Sequence, residues 1–95
     1  MAPLAAASPR KADLVARDLM RRIVSGEVSV GSLLPKEEEL AAGYRVNRSG
    51  VREAVKLLEV HRLVRPVRRR GTEVLSPLSS LSPEVLRALL ASYAS

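Results

Sequence analysis

The residues of this 95-residue chain best equipped for chemistry are side-chain donors gathered on two short segments. Asn47, Arg48, Ser49, Gly50, Arg52 and Lys56 form the first, and Arg68, Arg69, Arg70, Gly71 and Thr72 the second. Their chemistry is recognition, not bond making. An Arg presents five N–H donors in a planar fork. It can donate two hydrogen bonds to O6 and N7 of guanine, worth roughly 1–3 kcal/mol of discrimination. Arg48 and Arg52 are four residues apart, so on a helix they share a face and can address neighbouring base pairs. Ser49 can bond a base or a phosphate. Gly50 has no side chain to hold the backbone away from a ligand. Lys56 suits a phosphate better than a base. Both segments also have a plainer explanation, as a solvated helix face and a soluble loop. Against it, adjacent Arg residues repel one another unless a polyanion neutralises them. Arg69 and Arg70 in a turn can lie along phosphates or enter a narrow, strongly negative minor groove.

No comparable constellation supports catalysis. Cys is absent, which removes disulfides and thiolate metal sites, and His61 is the single His. Glu37, Glu38 and Glu39 are adjacent, so on a helix they point around the axis and do not face one another across a cleft. No catalytic residue, metal site or cofactor is therefore expected. The formal net charge of +6 favours a polyanionic partner, nucleic acid before an anionic membrane surface. No apolar run approaches the ~18 residues of a membrane span, and no membrane partner is expected. Met1–Ser8 lacks the basic and long apolar parts of a signal peptide. Absence of Cys and of targeting signals fits the cytoplasm.

The elements must position these donors. Phe and Trp are absent and Tyr44 and Tyr93 are the only aromatics, so any core is aliphatic. Residues 1–10, rich in Ala and Pro, read as a flexible N-terminal arm. Val15, Leu19 and Ile23, with Ala12 and Ala16, give one apolar stripe of a helix over Lys11–Ser25, with Gly26 as its stop. Glu27–Pro35 reads as a loop with an extended piece. A short helix then covers Lys36–Tyr44, its first turn filled by carboxylates that suit the helix dipole. Tyr44 is assigned to packing between this helix and the next. Asn47 caps a third helix, about Arg48–His61. Val51, Ala54 and Leu58 make its buried side, and Ser49, Arg52 and Lys56 lie opposite. Leu63–Val67 alternates in polarity, and Thr72–Leu75 is a second strand, so the basic turn joins a β-hairpin. Residues 76–95 read as a linker and the start of a C-terminal helix, with Ser82 as N-cap and Pro83 at the first helical position. Its apolar residues Val85, Leu86, Leu89 and Leu90 have no obvious cover in so short a chain. The fold class is mainly α with a small β-hairpin: a winged helix-turn-helix over residues 11–75, with a three-helix core, a wing and an extra C-terminal helix.

The segments Ile23–Gly26, Gly31, Leu34-Pro35-Lys36-Glu37-Glu38-Glu39-Leu40-Ala41, Val46–Val55 and Arg70-Gly71-Thr72-Glu73-Val74 resemble the N-terminal winged-helix domain of GntR-family transcription regulators. The resemblance covers about Ala12–Leu75. It implies a bacterial repressor, usually a homodimer, on a short palindromic operator in double-stranded DNA. It carries the family's DNA contacts onto Asn47, Arg48, Ser49, Gly50, Arg52, Arg70 and Gly71. Lys36 stands where a capping Ser or Thr is usual. Glu38 stands where some members carry a DNA-contacting Arg, so no base contact is expected from it. Arg45 and Arg62 replace glycines of the pattern, and each is expected to need a positive φ, which costs a residue with a side chain about 1 kcal/mol. Gly50 replaces a frequent Pro or Thr.

Leu81–Arg87 resembles the start of the helical effector domain of the FadR-like subfamily. A small-molecule effector is expected only for such a C-terminal domain, most of which this chain lacks, which would make it a fragment or a truncated product. Two other readings compete. A winged helix can serve protein–protein assembly, with Leu86, Leu89 and Leu90 as the partner surface. A small RNA-binding protein is disfavoured by the lack of aromatics on which single-stranded bases could stack.

Overall fold

The computed structural model describes residues 3–79 and 83–94. Four helices, α1 (Pro3–Val24), α2 (Glu37–Tyr44), α3 (Arg48–Val60) and α4 (Pro83–Ala94), accompany two strands, β1 (Val64–Val67) and β2 (Gly71–Val74), with a 3-10 turn at Pro77–Ser79. The order is that of a winged helix-turn-helix. One aliphatic core joins Val15, Ala16, Leu19 and Ile23 of α1, Leu40 of α2, and Val51, Ala54 and Leu58 of α3 to Leu63, Val64 and Val74 beside the hairpin. The stripe read from the α1 sequence is the stripe it buries, Ala12 included.

Helix α1 begins earlier than the sequence suggests. Residues 3–10, read as an arm, continue the helix. Pro3 is tolerated in a first turn, and Ala5, Ala6 and Ala7 are the strongest helix formers, although Pro9 contributes no backbone donor. Met1 and Ala2 lie outside the described residues.

Helices α2 and α3 both end in a Schellman motif centred on an Arg. After α2, Val46 N–H donates to Ala41 O (3.0 Å) and Arg45 N–H to Ala42 O (3.3 Å). After α3, Leu63 N–H donates to Leu58 O and Arg62 N–H to Glu59 O, both at 2.9 Å. The geometry requires a left-handed residue, and Arg45 and Arg62 each have φ 57, as expected from the glycines they replace. The second motif also corrects the strand reading. Leu63 and Val64 are both buried, so strict alternation fails. Leu63 belongs to the helix cap, in the same buried cluster as Leu58, and the strand starts at Val64.

The hairpin pairs Val64 with Val74 and Val67 with Gly71, leaving Arg68, Arg69 and Arg70 as its loop. A third piece of chain runs along β2. Leu34 N–H donates to Thr72 O, Gly31 N–H to Val74 O and Val74 N–H to Ser32 O, each at 2.8 Å. This is the extended piece expected within Glu27–Pro35, and it ties the wing to the start of α2. Helix α4 lies along α1 and sends fully buried Val85 into the core. Its apolar side is therefore partly covered, while Leu86 and Leu90 remain exposed. The cap expected from Ser82 falls outside the described residues.

Candidate nucleic-acid interface

Helix α3 carries the candidate site because its two sides are so unlike. Val51, Ala54 and Leu58 have no exposed surface, whereas Arg48, Ser49, Arg52 and Lys56 all point into solvent. The start of the helix is built by Asn47. Its Oδ1 accepts from Gly50 N–H at 2.8 Å and from Ser49 Oγ at 2.9 Å. A Cβ at Gly50 would lie 3.2 Å from Asn47 Oδ1, a tight contact that glycine avoids. Lys36, by contrast, gives α2 no side-chain cap, and Glu37, Glu38 and Glu39 fill its first turn, where negative charge suits the helix dipole.

Residues 45–47 separate α2 from α3, the short break of a helix-turn-helix. The crossing of these helices lays the carboxylates of α2 beside the guanidinium groups of α3. Arg52 Nε donates to Glu37 Oε2 at 2.9 Å, and Arg48 Nη2 lies 3.4 Å from Glu38 Oε2. The Glu37 bond pushes the Arg52 pKa still higher. Sequence reasoning missed both pairs. The partners of the shorter one are fifteen positions apart, and only the fold of the turn brings them together.

Arg52, Lys56, Glu37 and Thr72 border one cleft of about 200 Å³. The base of the wing thus meets the outer side of α3. Arg68, Arg69 and Arg70 stand further out on the hairpin loop, and none of them pairs with a carboxylate among the described residues. Arg70 N–H donates to Val67 O at 2.9 Å, closing a turn in which Arg69 has φ 67. Gly71, next in the chain, opens β2 at φ 122, another value that favours glycine. Lys11 of α1 is a further cation that the sequence did not single out: it borders a crevice with Asn47, Ser49 and Gly50.

A polar cluster behind the site fixes α2 against α1. Tyr44 Oη donates to Asp18 Oδ2 at 2.6 Å, and Arg22 Nε and Arg21 Nη2 donate to the same carboxylate at 2.8 and 2.9 Å. Tyr44 therefore bridges α2 to α1, where the sequence assigned it to packing between α2 and α3. The Tyr44 hydrogen bond, helped by both Arg residues and opposed by burial, lowers the Asp18 pKa to about 2. Burial, then the bond to Asp18, raises that of Tyr44 to about 12.

Among the described residues no cluster of His, Cys, Asp and Glu is arranged to hold a metal, and no helix is long and apolar enough to cross a membrane. The fold and its exposed basic helix define a winged helix-turn-helix module of the DNA-binding type. Residues 11–74 match the family described as bacterial regulatory proteins, gntR family, and the chain belongs to that family. It is 44% identical over 62 residues to an uncharacterised HTH-type transcriptional regulator (YieP) of Escherichia coli K12, covering 65% of this chain and 27% of that protein. It is 37% identical over 81 residues to the gluconate operon transcriptional repressor of Bacillus subtilis 168, covering 83% of this chain and 32% of that protein. Among solved structures, Streptococcus agalactiae GntR superposes with a TM-score of 0.63 at 33% identity, over 79% of this chain and 35% of that one. The chain thus spans about a third or less of the length of these curated relatives.

Proposed function

We propose that this domain reads an operator by placing α3 in the major groove and its wing against the minor groove or the flanking phosphates. The observation that carries this reading is the capped, two-sided α3, with Arg48, Ser49 and Arg52 exposed over a fully buried stripe. The N-terminal half of such a helix is the part that reaches base edges in this class of fold. Arg48, Ser49 and Arg52 are assigned to bases, and Asn47 and Gly50 to the helix start that approaches the backbone. Lys56, Arg69, Arg70, Gly71 and Thr72 are assigned to phosphates or the minor groove. Residues 11–75 are the reading unit in this proposal. The regulator acts as a repressor in the bacterial cytoplasm and binds a palindrome as a homodimer. In a longer chain α4 leads towards a separate domain that takes a small-molecule effector.

Selection of bound duplexes from a random pool tests this directly. The expected result is a palindrome whose half-site spacing reports the dimer. Arg52→Ala should relax the preference at one position per half-site, whereas Arg69→Ala should weaken all sequences evenly. A chain that enriches no sequence and instead self-associates tightly would support a module for protein assembly.

A further inference from the structure

Glu37 does not compete with DNA for Arg52 in the simple way its charge suggests. Its carboxylate accepts a hydrogen bond from Arg52 Nε at 2.9 Å, the inner donor of the guanidinium. The outer edge, the end of the fork formed by the outward N–H groups of Nη1 and Nη2, makes no hydrogen bond to a carboxylate among the described residues. That edge can make the two parallel bonds that guanine O6 and N7 accept. At Arg48 the arrangement is different: Glu38 lies nearest Nη2, at the looser distance of 3.4 Å, and its side chain is 70% exposed. Glu37 is more enclosed, 34% exposed, within the cleft shared by Lys56 and Thr72.

We infer that Glu37 is a positioning residue for base recognition: it holds Arg52 by Nε so that the outer edge meets guanine, and it makes the same Arg a poor phosphate ligand. The inference rests on the reading of α3 as the recognition helix. Two physical effects support it. A long side chain already anchored loses less freedom when it binds. A phosphate approaching Arg52 must also approach the Glu37 carboxylate, so like charge cancels much of the attraction. Guanine O6 and N7 are uncharged acceptors and meet no such repulsion. Specificity is a difference between affinities, and Glu37 widens it from both sides.

The test uses the 95-residue chain, its selected duplex, that duplex with the Arg52-read guanine replaced, and a random-sequence duplex over a salt series. Glu37→Ala should lower the preference for that guanine roughly tenfold. It should also tighten random-duplex binding several-fold and steepen its salt slope by about 0.9, because Arg52 is then free to neutralise a phosphate. Glu37→Gln keeps an acceptor for Nε without charge. It should retain most of the guanine preference while showing the steeper slope. Glu37→Asp keeps the charge at the start of α2 but falls short of Nε, so it should lose the preference without the tighter grip on random duplex. This variant also keeps the test readable should Glu37→Ala melt early. Glu38→Ala should leave that guanine position unchanged. Equal guanine preference in parent, Glu37→Ala and Glu37→Asp would overturn the inference and leave the DNA-reading assignment standing. A parent that enriches no sequence overturns both.

Discussion

Asp18 gathers three donors from two helices, and its protonation should therefore be felt across the fold. Its pKa is lowered from 3.8 to about 2 in the folded chain. The unfolded chain then binds the proton more readily, so the contribution is present above about pH 4 and is lost as pH falls towards 2. The carboxylate is 29% exposed, so solvent screening holds the effect to about 1 kcal/mol. Tyr44→Phe removes the first cause of the shift. We expect it to lower the urea midpoint at pH 7 by the equivalent of about 1–2 kcal/mol. The gap between parent and variant should narrow at pH 2.5, and a gap independent of pH would show that the hydroxyl does not act through Asp18. At the alkaline end the Tyr44 pKa is raised from 10.0 to about 12, so its contribution is intact below pH 10 and fades as pH rises through 12. Arg45 and Arg62 pose the opposite case, residues that the fold strains. Each sits at φ 57, where a side chain costs about 1 kcal/mol or more. Glycine at either position removes that cost but adds some unfolded-chain entropy. Arg45→Gly and Arg62→Gly should each raise the urea midpoint, by roughly 0.5 kcal/mol, with m unchanged. If the positive charge serves DNA binding, both should also weaken random-duplex affinity. Stabilisation without loss of affinity would mean that these arginines have no part in binding.

For the elements, the start of α3 serves folding and recognition together, and one atom can separate the two. Asn47 Oδ1 accepts both Gly50 N–H and Ser49 Oγ. Asn47→Ala should cost about 1 kcal/mol of stability by removing the cap. Asn47→Asp keeps the acceptor and adds a negative charge that suits the helix dipole, so the fold should be as stable as the parent or slightly more so. The same charge sits where a phosphate would approach, and DNA affinity should fall. Thermal melts and duplex titrations of the two variants check this; parallel changes in stability and affinity would tie the cap to folding alone. This helix is legible in the sequence because its signals are local: a capping Asn, a 3.6-residue apolar stripe and basic residues opposite. The hairpin is legible for the same reason, whereas the strain at Arg45 and Arg62 is legible only from the family pattern, in which glycines stand at these positions. What escapes depends on neighbours distant in sequence. Glu37 reaches Arg52 and Tyr44 reaches Asp18 only through the packing of α2 on its neighbours. The backward extension of α1 escapes because a Pro at position 9 reads as a breaker, although the alanines before it favour helix. Leu63 reads as the first residue of an alternating strand because a helix cap and a strand both call for an apolar residue there.

Across the whole molecule, charge is the property that binding should report. The chain carries 16 basic and 10 acidic residues, and several acids are already committed. Asp18 and Glu27 face Arg21 and Arg22, Glu73 faces Arg65, and Glu37 and Glu38 face α3. The wing loop Arg68, Arg69 and Arg70 meets no such carboxylate among the described residues, which leaves its charge free to neutralise phosphates. If Lys56, Arg45 and the three wing arginines each displace one counterion, the slope of log K against log salt is about −4.5. Binding then weakens roughly 500-fold between about 50 and 200 mM salt. Arg69→Ala should reduce the slope by about 0.9 on every sequence, because a phosphate contact carries no sequence information. Arg52→Ala should change the slope little and act on sequence preference, since Glu37 already offsets its charge. Measuring both variants on the selected duplex and on a random one places each residue on the phosphate or the base side of the interface. An unchanged slope in Arg69→Ala would remove the wing tip from the binding surface, leaving α3 and the base of the hairpin at Thr72 to account for binding.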